Sequence, residues 1–342
     1  MKASTGGSLK SKCDRWLSVD GYTSTMGAVW THGMSDGVAG MYMSGSSAIE
    51  YNPEEDSFLK IGKANGMLSF NKKRYVTSVF ESFAPDNPDY KSFVVSVLRK
   101  DGKYYYELIY DNKEHNAFMG NPSFAGDEWV LIQICEGSSG LCDVKYAKVG
   151  VWKWHSLELG TVYEGNIVGD RLTFMVPYTD PDRQIYYCDL SKYPKSYKEC
   201  YKATGILKSG DPELGHSPRI DEDNKNRLIY YLYGGDNGIL KLIETDFSDI
   251  TNPSRKEIVV DKYMQPHKVK GNLMMFTGNK GYGLTSCYYR FDKKKLYCPE
   301  SDEMMEFGIF DGKWHLWRDS IDVRIRDWDC YCAEEGVCPF EE

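Results

Sequence analysis

Three pairs of cysteines in this chain flank short turns symmetrically, and that pattern constrains the fold more than any other feature. In SCYYRFDKKKLYC, Ser286 to Cys298, a turn near Asp292 to Lys294 would set Arg290 opposite Lys295, Tyr289 opposite Leu296 and Cys287 opposite Cys298. Residues facing each other across antiparallel strands hold their Cβ atoms ~4.5–5.5 Å apart. A disulfide needs ~3.5–4.5 Å, a small adjustment from there. The same arrangement recurs where Cys135 and Cys142 flank Ser138-Ser139, and where Cys188 and Cys200 flank a Tyr-Pro turn. Cys13 near the start and Cys330, Cys332 and Cys338 at the end remain, and a bridge between the two chain ends is expected, with the pairing among these four open. Zinc sites favour Cys-x2-4-Cys knuckles in two copies, and none of the hairpin pairs has that spacing. No Cys-x-x-Cys redox motif occurs, which argues against thiol catalysis. The expectation is a set of disulfides, and with it an oxidising compartment: extracellular, cell-surface, periplasmic or on a virion surface.

What lies between the cysteines reads as all-β. Apolar residues alternate at period two, as in Arg227-Leu-Ile-Tyr-Tyr-Leu-Tyr233 and Lys313-Trp-His-Leu-Trp317. Tyr, at 26 residues, suits pleated half-buried surfaces, while Gly, at 32, punctuates turns. The net charge of −8 comes without a basic stripe, which excludes nucleic acid as the expected partner. No apolar run approaches the ~18 residues of a membrane span, so no membrane insertion is expected. The first residues show no apolar core of a signal peptide.

A unit repeats along the chain: a short apolar strand, a Gly/Asp/Asn turn, an aromatic-rich strand, then a second hairpin. Its instances include AVWTHGMSDGVAGMYM, NIVGDRLTFMVPY, HKVKGNLMMFTG and FGIFDGKWHLW. Four-stranded units of ~40–50 residues are the mark of a β-propeller. The expected fold is one propeller domain over 1–342, with seven blades and six as the alternative. The approximate blades are 24–63, 66–115, 121–161, 164–205, 216–261, 265–303 and 305–342. The last unit lacks a clear fourth strand, and Arg15-Trp-Leu-Ser-Val19, within 13–20, is expected to supply it and close the ring. Two β-sandwiches are the other all-β solution, but no linker-like stretch divides the chain.

In a propeller the loops entering the inner strands gather on one face with the second-to-third-strand loops. His115 with Asn116, His216 with Arg219, and His267 with Lys268 are placed in entering loops and expected to converge near the axis. Such a group suits an anionic ligand, with Arg219 pairing a carboxylate and a histidine acting near neutral pH. Tyr178, Tyr233 and Tyr282 fall in the neighbouring loops, where their rings can stack on sugars. The bland reading is surface histidines and packing tyrosines with no joint role. His32 and His315 are expected to be structural, and His155 to lie towards the rim. No cofactor is expected. Asp86-Asn-Pro-Asp89 and Thr179-Asp-Pro-Asp182 offer oxygen-rich turns of the kind calcium takes, though neither matches an EF-hand loop.

The architecture resembles the extracellular propellers of sialidases, polysaccharide lyases and furanosidase-type glycoside hydrolases, and DGKYYYELIYD and FDGKWHLW resemble aromatic blade strands of the last group. The chain carries no repeated Ser-x-Asp-x-Gly-x-x-Trp box and no early Asp-Pro site, so no catalytic residue is transferred from those families. With no catalytic motif in the chain, the expected function is an extracellular or virion-surface recognition propeller binding a glycan or protein partner on its channel face. The alternatives are a carbohydrate-active enzyme, lyase or hydrolase, on that face, or a structural disc in a larger assembly.

Overall fold

The computed structural model describes residues 11–17, 29–35, 37–43, 47–63, 69–71, 74–80, 92–101, 103–112, 117–118, 124–136, 142–160, 162–176, 184–205, 214–232, 241–259, 264–279, 284–298, 306–319, 322–335 and 338. The chain enters through β1 (Asp14–Trp16), whose partner comes last. Four antiparallel strands follow in order, β2 (Val29–Ser35), β3 (Val38–Met43), β4 (Ser47–Asn52) and β5 (Ser57–Lys63). The second sheet runs β6 (Ser69–Asn71), β7 (Arg74–Phe80), β8 (Ser92–Lys100), β9 (Lys103–Asn112). In the third, β10 (Ala117–Phe118) and β11 (Phe124–Ala125) both pair with β12 (Trp129–Glu136), which leads to β13 (Cys142–Lys148) and β14 (His155–Ser156). The fourth holds β15 (Tyr163–Val168), β16 (Arg171–Val176), β17 (Gln184–Asp189) and β18 (Tyr201–Lys202). The fifth holds β19 (Gly215–Ile220), β20 (Arg227–Leu232), β21 (Lys241–Asp246) and β22 (Ser254–Val259). The sixth holds β23 (Met264–Lys270), β24 (Leu273–Asn279), β25 (Leu284–Arg290) and β26 (Lys295–Tyr297). The seventh sets β27 (Glu306–Phe310), β28 (Trp314–Asp319) and β29 (Asp322–Asp327) beside β1, and α1 (Trp328–Glu335) follows.

The first hairpins of several sheets close through two-residue turns. Val168 pairs with Arg171 and Lys270 with Leu273. Gly169 and Gly271 open these turns at φ 57° and 54°, the left-handed conformation that such a turn demands and glycine adopts without a Cβ clash. Neighbouring sheets then bury apolar faces against one another. Trp129, Leu131 and Tyr146 of the third sheet pack with Leu172 and Phe174 of the fourth. Tyr187 of the fourth packs with Leu228 and Tyr230 of the fifth, and Leu242 of the fifth with Met274 and Phe276 of the sixth. Met41, Ile49 and Tyr51 of the first sheet share a core with Trp314, Leu316 and Ile325 of the seventh. Aromatic side chains of this size stabilise by about 1.5–3 kcal/mol each when buried, so these layers carry most of the fold.

The cysteine geometry follows the sequence register. Tyr289 faces Leu296 and Arg290 faces Lys295, and Cys287 is bridged to Cys298. Cys188 is bridged to Cys200 at a Cα separation of 4.6 Å. Cys142 is disulfide-bonded and lies opposite Cys135 in the β12–β13 ladder. The terminal four resolve as Cys13 with Cys330 and Cys332 with Cys338. Beside the first of these, Asp14 sits almost fully buried, its two oxygens taken by Arg326 Nε at 2.7 Å and Arg326 NH2 at 2.9 Å, with Arg324 NH2 at 3.0 Å.

Removing Cys13–Cys330, which spans 317 residues, should cost more than removing Cys332–Cys338, which spans 6. On the chain-entropy account the losses are about 6 and about 2 kcal/mol. Urea unfolding of Cys13→Ser/Cys330→Ser and Cys332→Ser/Cys338→Ser checks this, with the larger fall in midpoint expected for the first.

Candidate functional site: the bulged inner strands

The first strands of the sheets approach one another: β2 touches β6 and β27, β11 touches β6 and β15, and β19 touches β15 and β23. Five of them carry one extra residue relative to the strand beside them. The bulges fall between Thr31 and Gly33, Tyr163 and Asn166, His216 and Arg219, Pro266 and Lys268, and Glu306 and Ile309. A β-bulge bends its strand and re-aims a side chain, and bulges concentrate at rims and functional sites.

Three consecutive bulges interlock. Glu164 and Ser217 both sit at positive φ, 50° and 48°, which for residues with a Cβ costs on the order of 1–3 kcal/mol each. They hold each other: the Ser217 backbone N–H donates to Glu164 Oε2 at 2.5 Å, and the Ser217 hydroxyl to the same oxygen at 3.3 Å. Further along the same two strands, the Ile220 N–H donates to Asn166 Oδ1 at 2.9 Å. Arg219 spans the three sheets. Its Nε donates to the His267 carbonyl at 2.9 Å, and one terminal nitrogen donates to the carbonyls of Glu164, at 3.2 Å, and Pro218, at 2.7 Å. Its second terminal nitrogen has no bond among the described residues. Burial pulls the Arg219 pKa down, opposed by the Glu164 carboxylate. Arg219 nonetheless stays charged, since guanidinium is not deprotonated in proteins. Burial, with the Arg219 charge second, lowers the His267 pKa to about 4, so the imidazole is neutral at pH 7.

The structure therefore brings Arg219 and His267 together. It moves both His216 and His267 out of the entering loops expected for them and into β19 and β23. The physical reason is the bulge: Pro218 and Pro266, which read as loop signals, sit in or beside irregular pairings that tolerate a missing N–H. His216 is buried and stacks on Tyr231, ring centroids 5.1 Å apart. Lys268 pairs with Glu222 at 3.2 Å, next to a latch in which Asp221 accepts from the Gly271 N–H and Arg227. His315 is fully buried, its Nδ1 2.6 Å from the Tyr288 hydroxyl, as expected of a structural residue, and His155 lies in the outermost strand β14. His115, Asn116, Tyr178, Tyr233, Tyr282 and the two acidic Asp-Pro turns lie outside the described residues. Among the described residues, no group of three or more His, Cys, Asp or Glu is placed to hold a metal. Glu164 and Ser217 were not singled out by the sequence. Their only signal is positional, since both fall in the strand preceding a repeat's turn.

No protein-family model and no curated protein matches the sequence. Solved structures do match the fold. An oligogalacturonate lyase from Vibrio parahaemolyticus superposes with a TM-score of 0.61 at 8% identity, over 92% of this chain and 93% of that one. The β-propeller domain of the Trilobed protease from Pyrococcus furiosus gives 0.61 at 10% identity, covering 88% and 93%. An acylaminoacyl peptidase from Pyrococcus horikoshii gives 0.61 at 11%, covering 86% of this chain and 50% of that chain. With its many small antiparallel sheets, the chain is an all-β protein of the β-propeller class.

The two most deeply depressed histidines set a pH dependence. The ordinary value of ~6.5 is that of the unfolded chain, whereas His267 falls to about 4 and His315 to about 3 in the fold. Between these limits the unfolded chain binds protons that the native one refuses. Stability is therefore complete above ~6.5 and declines as pH falls, by up to about 1.4 kcal/mol per pH unit for each histidine. Thermal unfolding between pH 7 and 4 should show this slope, and His267→Gln should flatten it.

Proposed function

We propose that the seven sheets are the blades of a closed seven-bladed ring, sealed by β1 against β29. We propose further that the protein is a carbohydrate-active enzyme of the lyase type. Its substrate on this reading is a uronate-containing oligosaccharide, bound where β15, β19 and β23 bulge together. The observation that carries the reading is Arg219 held among the three bulges, its Nε 2.9 Å from the backbone carbonyl of His267, a residue whose imidazole is neutral at pH 7. The likeness in fold to an oligogalacturonate lyase over nearly the whole of both chains supports it.

The reaction is a β-elimination. The remaining N–H edge of Arg219 holds the uronate carboxylate, stabilising the negative charge that builds as the adjacent carbon loses its proton. His267 is in the proton-accepting form at neutral pH. The electron pair of the broken C–H bond forms the ring double bond, and the glycosidic oxygen leaves with its electrons and takes up a proton. Glu164 and Ser217 position Arg219 by fixing the bulge beneath it. No cofactor enters the scheme. The disulfides suit an oxidising environment, and secretion or surface display is part of the same proposal.

Incubation with oligogalacturonate and other polyuronates, followed by the ultraviolet absorbance of unsaturated products, tests the reading. Turnover is expected, and His267→Ala should lose roughly 10²-fold or more while retaining its fold by near-ultraviolet circular dichroism. Glycan binding without unsaturated product would instead support a recognition propeller using the same face. Neither binding nor turnover would overturn both.

A further inference from the structure

Between Cys188 and Cys200, which are bridged, the fourth sheet makes an excursion of two short 3₁₀ turns, Leu190–Lys192 and Tyr197–Glu199. It lies against the outer edge of the third sheet. The Tyr197 N–H donates to the Leu157 carbonyl at 2.9 Å, and the Tyr146 hydroxyl donates to the Pro194 carbonyl at 2.8 Å. At this seam stands Tyr193, at φ 52°, the left-handed conformation in which a helical turn commonly ends on glycine. Here the position carries a large ring instead, and its Cβ crowds the backbone. The ring meets Trp129 edge to face, centroids 5.5 Å apart, and lies 4.9 Å from His155. Even so, 45% of Tyr193 stays exposed. Backbone strain of this kind persists where the surroundings over-determine it, and it gathers at ligand sites.

The charge around the ring is a second observation. Lys192 and Lys195 flank Tyr193 in the chain, and Lys198 follows in the next turn. Lys153 acts on His155, whose pKa is lowered by burial first and by the Lys153 charge second. All four lysines are exposed. Lys153, Lys195 and Lys198 make no ion pair among the described residues, and Lys192 reaches Asp189 only at 3.9 Å. Across 151–157 and 190–200 these lysines meet a single carboxylate, Glu199, whose Oε2 accepts from the Lys195 N–H, on a chain of net charge −8. We propose that the seam is a second glycan-binding site, taking an acidic polysaccharide. The exposed face of Tyr193 stacks on one sugar ring, and the lysines pair with the carboxylates or sulfates of the residues on either side. Lysine is a point charge on a flexible stem and fits a repeating anion without fixed geometry. Nucleic acid also stacks on aromatic rings, but its phosphates call for an extended basic stripe, which this chain lacks. The disulfide holds the excursion in place beforehand, which limits the ordering needed on binding. The ligand class follows from the ring and the charges, and turnover at Arg219 is not required.

Affinity electrophoresis of the full chain tests the site, in gels holding polygalacturonate, sulfated dextran, neutral dextran or single-stranded DNA. It is run at low ionic strength, where exposed charges are least screened, and read against a gel without polymer. Retardation is expected in polygalacturonate or sulfated dextran and not in neutral dextran, and the two acidic gels tell carboxylate from sulfate. Tyr193→Gly, which suits the left-handed backbone, should weaken binding roughly fivefold or more. Lys153→Glu with Lys195→Glu should weaken it roughly tenfold or more. Both variants should keep the circular dichroism of the parent. His267→Ala should bind as the parent does, so a failure of the lyase reading leaves this site standing. No retardation in either acidic gel overturns the proposal, as does retardation that survives both changes. Single-stranded DNA binding as strongly as the acidic glycans overturns it too. So does a loss confined to the lysine variant, which would mark a charge effect without a sugar-stacking ring.

Discussion

The Asp14 carboxylate is the interaction on which the arrangement of the chain ends depends. Both its oxygens face the Arg326 fork and Arg324 adds a third contact, all three side chains being almost wholly out of water. A buried pair of this kind gains little over apolar packing, yet losing one partner costs about 3–5 kcal/mol, because the other charge stays buried and unpaired. It therefore acts as a register pin. Asp14 sits opposite Arg326 in the β1–β29 ladder, so a slip of one residue would bury a lone charge. The Arg326 guanidinium is also packed among Trp317, Trp328 and Tyr331, which ties α1 to the seventh sheet. Tyr288 reaches across from the sixth sheet to His315 and Trp328, so the pin is anchored in two sheets.

The inner strands follow another logic. A regular strand would send alternate side chains inward at every level. One extra residue in each of five strands breaks that alternation at a single level. At three neighbouring sheets the break is stabilised from next door: the carboxylate of Glu164 holds the Ser217 N–H, and the guanidinium of Arg219 holds the carbonyls of Glu164 and His267. The polar groups freed by one bulge are thus met by side chains of the adjacent sheet, which offsets the strained φ values of Glu164 and Ser217.

What the sequence disclosed was what local spacing controls. The register of Tyr289 with Leu296 and the bridge from Cys287 to Cys298 follow from folding thirteen residues about one turn. The repeat of four-stranded units was legible because strands alternate and turns carry glycine. The choice of Cys330 for Cys13 was not, since its geometry is set by the docking of β1 and α1. The site was half legible. Arg219 meets the backbone of His267, but both lie in bulged strands that contain Pro218 and Pro266, not in loops. Glu164 escaped notice because its partner lies 53 residues away, across a sheet boundary that no local pattern encodes.

The bridge from Cys13 to Cys330 has a mechanical consequence. Every strand, β1 included, lies between these two residues, so tension applied from outside them passes through a single covalent bond. Pulled in that way, the sheets are unloaded spectators, and the molecule yields only when the sulfur–sulfur bond is reduced. A fold bridged in this way transmits force as a rigid bead on a string.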